Sequence, residues 1–185
     1  MQTALLISDK SLTKQVNSFG ITTWRNLLKF VKQIPYGRNS NRIDFSLILL
    51  ENKGTCSSKH AFLKEIANQN DLKNIELIIG IYKMNEFNTK IGTLLSENKL
   101  EYIPEAHCYL KIDDIRFDCT SSNSDFDKIK DDLLEEIEIE PYQVGDFKIE
   151  YHQKFIKNWL TENNSKFSFE QIWEIREQCI ENLSL

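Results

Sequence analysis

The feature of this sequence that most constrains its fold is a pair of alternating segments, 106–112 and 115–120, joined at Asp113-Asp114. If the two aspartates form a two-residue turn, the segments pair as an antiparallel hairpin. The pairs are then Ile112 with Ile115, Leu110 with Phe117, and Cys108 with Cys119. These six side chains lie on one apolar face, because side chains alternate along a strand. We therefore expect this face to pack on the core, with Cys108 and Cys119 as buried thiols.

The opposite face of this hairpin is polar. It carries His107, Tyr109 and Lys111 on the first strand and Arg116, Asp118 and Thr120 on the second. In this register Asp118 lies opposite Tyr109 and diagonal to His107. Diagonal neighbours are about 7–8 Å apart at the backbone, which His and Asp side chains can bridge. The pattern predicts a His107–Asp118 pair.

A third polar group, Cys56, stands at a predicted helix start. It follows Gly54 and Thr55 and precedes an amphipathic stretch, so we expect a helix from residue 55 or 56 to about 70. The positive end of a helix lowers the pKa of a thiol and makes it a better nucleophile. Free backbone N–H groups there can also bind an oxyanion. Cys179, by contrast, falls within a helical apolar pattern and is expected in the core.

These three groups occur in an order that resembles the transglutaminase-like superfamily: Gly54-Thr55-Cys56 opening a helix, Glu105-Ala106-His107 opening a strand, and Phe117-Asp118-Cys119-Thr120 on the next. The resemblance covers about residues 40–122. It implies an α+β fold in which a Cys-bearing helix packs on a small antiparallel sheet, with additional helices at 1–35 and 125–185. The whole chain is expected to form one domain.

The resemblance also implies a reaction and roles. Cys56 would be the nucleophile, His107 the general base and acid, and Asp118 the orienting group, in a cysteine hydrolase or peptidase that needs no cofactor. Transamidation and deamidation stay open as alternatives to hydrolysis. The substrate would be a peptide, a protein or a small amide. Candidate oxyanion or substrate contacts are Asn39, Asn41, Ser57 and Tyr109.

Two other functions are compatible with the sequence. One is a non-catalytic binding module on the same fold. The other is a zinc site formed by Cys56, His60 and His107, although the sequence has no CxxC pair to support it. We otherwise expect His60 and His152 at the surface.

The remaining segments give a coarse secondary structure. We expect one strand at 75–83, a helix from 24 to near Pro35, and further helices at 44–51, 88–97, 125–136, 148–162 and 169–183. Ser168 with Gln171 predicts a capping box for the last helix.

Charge and hydropathy exclude some classes of function. The net charge is −5 and no long Lys/Arg cluster occurs, so a nucleic-acid partner is not expected. The sequence shows neither a signal peptide nor an apolar run near the roughly 20 residues that span a bilayer. We therefore expect a cytoplasmic protein without a membrane partner.

Overall fold

The computed structural model describes residues 4–183, and this part of the chain has an α+β fold. The helices are α1 (Ser11–Ser18), α2 (Trp24–Gln33), α3 (Leu47–Leu50), α4 (Cys56–Gln69), α5 (Leu94–Glu97), α6 (Asp146–Glu162) and α7 (Phe169–Asn182). The strands are β1 (Ile75–Met84), β2 (Ile103–Ile112), β3 (Ile115–Phe117) and β4 (Leu133–Ile139). They form one antiparallel sheet in the order β3-β2-β1-β4.

The two central strands, β1 and β2, fix the position of the polar residues. Their register places Gly80 opposite His107 and Ile79 opposite Cys108. A side chain at Gly80 would have its Cβ 2.6 Å from the Tyr109 hydroxyl oxygen. Glycine is therefore required where the Tyr109 ring crosses the neighbouring strand.

Helix α4 packs on one face of the sheet. Its apolar stripe of Phe62, Leu63, Ile66 and Ala67 is fully buried there, against side chains of β1 and β2 that point to the same side. Alternate residues of β1, such as Tyr82 and Met84, belong to a second apolar cluster with α6 and α7. One face of the sheet is thus covered by α4, and one end of the other face is covered by α6 and α7. The N-terminus of α4 meets the middle of β2.

The hairpin has the predicted register but a shorter second strand. Leu110 pairs with Phe117 and Ile112 with Ile115, whereas β3 ends at Phe117 instead of near 120. Cys108 and Cys119 are buried as expected, but Ile115 at the tip is 69% exposed. The apolar face therefore packs on the core only along its inner part.

The helix predicted at 125–136 is wrong. Two short 3-10 turns, Phe126–Lys128 and Lys130–Asp132, are followed by β4, which pairs with β1. In β4, Glu136 and Glu138 alternate with Ile137 and Ile139, which is the spacing of a half-buried strand. Glu136 and Glu138 lie on the sheet face that also carries Tyr109, whose hydroxyl donates a hydrogen bond to Glu136.

Three further helix predictions have different outcomes. The helix at 88–97 is reduced to the single turn Leu94–Glu97, and α1 lies in the flank 1–35 that was predicted to be helical. The two C-terminal helices are confirmed, and the Ser168–Gln171 capping box is present at the start of α7. Across residues 4–183, every helix is too short or too polar to cross a membrane.

Candidate active site

Cys56 is the first residue of α4, as the sequence predicts, and local hydrogen bonds fix it there. The Thr55 hydroxyl accepts from the Ser58 N–H, and the Ser58 hydroxyl accepts from the Thr55 N–H, which makes a capping box. Within the described part of the chain, the N–H groups of Cys56 and Ser57 have no acceptor. Two donors at the positive end of the helix are therefore available beside the sulfur.

His107 and Asp118 form the contact that the strand register predicts. The His107 Nε2 atom lies 2.9 Å from an oxygen of Asp118. The other Asp118 oxygen accepts the N–H of Thr120 at 2.8 Å, which holds the carboxylate just beyond β3. Both side chains are largely buried, at 13% and 8% exposure.

Charge pairing sets the pKa values of these two groups. Burial by itself would lower the pKa of His107, but the charges of Asp118 and Cys56 and the hydrogen bond to Asp118 raise it to about 10. Burial would raise the pKa of Asp118, but His107 and the Thr120 N–H hold it well below its usual range. At neutral pH this environment favours an imidazolium beside a carboxylate.

The thiol of Cys56 is the third member of this group. The neighbouring Cys108 thiol, together with the positive charges of Lys148 and His107, lowers the pKa of Cys56 despite its burial. Burial and the same contact raise the pKa of Cys108. Of these two neighbouring thiols, Cys56 is thus the one that ionises, which suits a nucleophile.

His60 contradicts its expected surface position, because its side chain is fully buried. Its Nε2 accepts the N–H of Cys119 at 2.7 Å, so its Nδ1 carries the proton and donates to the carbonyl of Cys56, also at 2.7 Å. Burial lowers the pKa of His60 to about 4, which keeps the ring neutral. The imidazole thereby ties the start of α4 to the residue that follows Asp118.

Lys148 of α6 lies on another side of Cys56 and was not singled out from the sequence. Its side chain is 7% exposed. The Nζ atom lies 2.7 Å from the Ser57 hydroxyl oxygen and 3.9 Å from the Cys56 sulfur. A buried ammonium at this distance stabilises a thiolate.

A buried ion pair stands next to these groups. Arg176 of α7 donates two hydrogen bonds to the Glu105 carboxylate, at 2.6 and 2.7 Å. His152, which was expected at the surface, is buried between this pair and the Pro104 carbonyl, 2.8 Å from its Nε2. The pair connects β2 to α7 two residues before His107.

Two cavities open onto the Cys56 sulfur. The larger, about 400 Å³, is lined by His107, Asp118 and the segment 120–125 among others. The smaller, about 130 Å³, is lined by Ser57, Lys148 and several arginines. The two share Cys56, Tyr36, Glu105 and Ile180 in their walls. A bound molecule could therefore reach the sulfur from either cavity.

The residues predicted as oxyanion or substrate contacts do not all line a cavity beside Cys56. Ser57 lines the smaller cavity. The Asn39 amide instead binds the Lys53 carbonyl and Glu51, and Asn41 caps its own loop at the Ile43 N–H. Neither asparagine lines the wall of a cavity beside Cys56.

Tyr109, the fourth of these candidates, is directed away from the sulfur. Its hydroxyl donates to Glu136 at 2.6 Å, and its ring packs on Phe126. Tyr36 stands instead in the wall of both cavities. It is held there because the chain before it hydrogen-bonds to Gly54, where the Gly54 N–H donates to the Pro35 carbonyl.

The zinc alternative has no geometric support in residues 4–183. Both ring nitrogens of His60 are used in hydrogen bonds to the backbone. No group of three or more His, Cys, Asp or Glu side chains within this range could hold a metal ion. Cys56 and His107 are neighbours without a third ligand.

Comparisons of the chain with protein-family models, with curated proteins and with solved structures give no match.

Proposed function

We propose that this protein is a thiol-dependent acyl-transfer enzyme whose nucleophile is Cys56, with His107 as general acid and base and Asp118 as the orienting group. One observation carries the proposal: an ionisable thiol at a helix start opens onto a cavity that is also lined by a hydrogen-bonded His107–Asp118 pair. A nucleophile, a base and an orienting carboxylate in this arrangement are the requirements of covalent acyl transfer.

The first half-reaction forms a thioester. The Cys56 thiolate attacks the carbonyl carbon of an amide, and the carbonyl electrons move onto oxygen. We expect the free N–H groups of Cys56 and Ser57 to stabilise that oxyanion. When the tetrahedral intermediate collapses, the C–N bond breaks and the His107 imidazolium gives its proton to the leaving nitrogen.

The second half-reaction restores the thiol. Neutral His107 takes a proton from water, and the resulting hydroxide attacks the thioester carbonyl. The C–S bond breaks, the acid is released, and the thiolate and imidazolium return. Asp118 keeps the imidazole in the orientation and tautomer that both proton transfers need. Water is the simplest acceptor, and an amine in its place would give transamidation.

The proposal also covers the protein family and the cellular compartment. The order Cys56, His107 and Asp118, with the cysteine on a helix and the histidine on an antiparallel strand, supports the transglutaminase-like assignment. Four free cysteines support a reducing, cytoplasmic compartment. A peptide, a protein or a small amide is the expected substrate.

A burst experiment with p-nitrophenyl acetate tests the reaction without knowledge of the natural substrate. The wild-type protein should release about one equivalent of p-nitrophenolate rapidly, as expected for an acyl-enzyme. Mass spectrometry should then find the acetyl group on Cys56. Cys56→Ala should remove the burst, whereas Cys179→Ala, the same change at a buried thiol of α7, should keep it.

Two results would contradict this function. One is acetylation of another residue at the same rate in Cys56→Ala. The other is the absence of a burst in a folded wild-type protein, which would leave a non-catalytic binding module as the better account.

A further inference from the structure

The smaller cavity beside Cys56, here called the basic cavity, has an excess of positive charge. Its charged lining residues are Arg38, Arg42, Lys148 and Arg176 against Glu105 and Glu177. Four cations face two carboxylates, which leaves two positive charges before Cys56 is counted. The excess is local, because the chain as a whole has a net charge of −5.

The carboxylates of the basic cavity are already engaged. Glu105 pairs with Arg176, and Glu177 pairs with both Arg38 and Arg176. Lys148 and Arg42 are different, because in residues 4–183 neither has a carboxylate within ion-pair distance. Lys148 is only 7% exposed, and its ammonium nitrogen lies 3.9 Å from the Cys56 sulfur. A buried ammonium without an anionic partner is costly unless something negative shares the site.

The thiolate can be that partner only in the free enzyme. In the reaction proposed above, the sulfur becomes a neutral thioester, and Lys148 then faces a site whose carboxylates, Glu105 and Glu177, are already paired with arginines. An acyl group that carries its own carboxylate would replace the lost charge at this step. A neutral acyl group would leave the buried Lys148 ammonium without a negative charge to pair with.

We propose that the basic cavity is the subsite for a carboxylate of the acyl donor, so that the substrates are acidic: amides in which a carboxylate lies on a short stem from the reacting carbonyl. This inference rests on the proposed function and adds the substrate class. Lys148 binds the carboxylate from within the cavity and Arg42 binds it from the mouth. The cavity is small, so it takes this group alone, and the larger cavity takes the remainder of the substrate.

Two alkylating agents of the same shape test the subsite. Both reagents alkylate the sulfur through their CH2 carbon with loss of iodide. Iodoacetate transfers a carboxymethyl group, which carries a carboxylate, and iodoacetamide transfers a neutral carbamidomethyl group. The measured quantity is the ratio of the two rates at Cys56, read by mass spectrometry and divided by the same ratio for glutathione. We expect this normalised ratio to exceed one by about ten-fold, since a site of opposite charge concentrates an ionic reagent.

Two substitutions should remove the preference. Lys148→Met keeps the aliphatic stem and deletes the charge, and Arg42→Gln does the same at the cavity mouth. Both should bring the normalised ratio back toward one. The matched controls are Lys154→Met, an exposed position on the same helix, and Arg25→Gln, an exposed position on α2, and both should keep the wild-type ratio. If circular dichroism shows that Lys148→Met is unfolded, Arg42→Gln decides the question.

The failure of this inference is distinguishable from the failure of the proposed function. If Cys56 reacts rapidly with iodoacetamide in a way that depends on His107, but its normalised ratio is one or is unchanged in both variants, the carboxylate subsite is wrong and the thiol mechanism stands. If Cys56 reacts with iodoacetamide no faster than glutathione, with or without His107, the proposed function fails and the subsite fails with it.

Discussion

The cations on the two sides of Cys56 differ in whether they have a carboxylate partner. Toward the larger cavity, the cation of His107 has its counter-ion in Asp118, 2.9 Å away. Toward the basic cavity, the Lys148 ammonium has two polar contacts among residues 4–183, the neutral Ser57 hydroxyl and the sulfur itself. On the side of the larger cavity, the cation of His107 is paired with a carboxylate. On the side of the basic cavity, the cation of Lys148 faces the nucleophile Cys56.

This difference separates two tasks in the proposed reaction. A paired imidazole can give up a proton and take it back, because Asp118 stabilises its charged form throughout. A lysine ammonium acts as a fixed charge that binds whatever anion occupies the site. The imidazole side is therefore expected to govern proton transfer, and the lysine side is expected to govern which acyl donors bind.

The largest expected effect comes from breaking the ion pair on the imidazole side. Asp118→Asn keeps an oxygen for the Thr120 N–H but removes the charge that orients His107. The acylation rate with p-nitrophenyl acetate should fall by about 100- to 10,000-fold, the usual contribution of general acid–base catalysis.

The matched control for that substitution is Asp114→Asn. It makes the same chemical change in the exposed hairpin turn, where the side chain is 92% exposed. It should leave the acylation rate unchanged. A rate for Asp118→Asn within a few-fold of wild type would show that the pair does not act on the reaction.

The next effect concerns the buried ion pair that borders the basic cavity. Glu105→Gln leaves Arg176 without the carboxylate that accepts two of its hydrogen bonds. The free energy of unfolding should fall by about 3–5 kcal/mol, the typical cost of removing one member of a buried pair. Urea denaturation measures it, and Glu76→Gln, in a more exposed pair with Lys111, should cost much less.

A smaller effect is expected at His60, which links the two elements that carry Cys56 and Asp118. His60→Phe fills the space but leaves the Cys56 carbonyl and the Cys119 N–H without their partner. The free energy of unfolding should fall by about 1–3 kcal/mol, the cost of leaving buried polar groups unsatisfied. A variant as stable as wild type in urea would mean that these hydrogen bonds do not hold the site together.

The local sequence pattern was sufficient to predict the side of the site that contains His107 and Asp118. A two-residue turn and side-chain alternation fix which residues face each other, so the contact of His107 with Asp118 follows from spacing alone. The start of α4 follows from its glycine and its capping residues. Each of these features depends on residues close together in the chain.

The basic cavity could not be found in the same way. Lys148 lies 92 residues from Cys56, and a lysine in an amphipathic helix is ordinarily expected in solvent. The strand β4 was predicted as a helix for the same reason: its strand structure depends on pairing with β1, which is far away in sequence. For His60 a signal did exist: it follows Cys56 by four residues, so its ring could reach the Cys56 carbonyl on the same face of α4.

The most direct test of the central claim is the rate at which iodoacetamide alkylates Cys56 as a function of pH, in wild type and in His107→Ala. A lowered pKa means that the thiolate persists as pH falls below about 8.5, the value of a free thiol. The wild-type rate should therefore stay high well below that pH and decline only in more acidic solution. In His107→Ala the midpoint should move upward toward the free-thiol value. A wild-type midpoint at the free-thiol value, unchanged by His107→Ala, would contradict the pairing of Cys56 with His107 and with it the proposed enzyme.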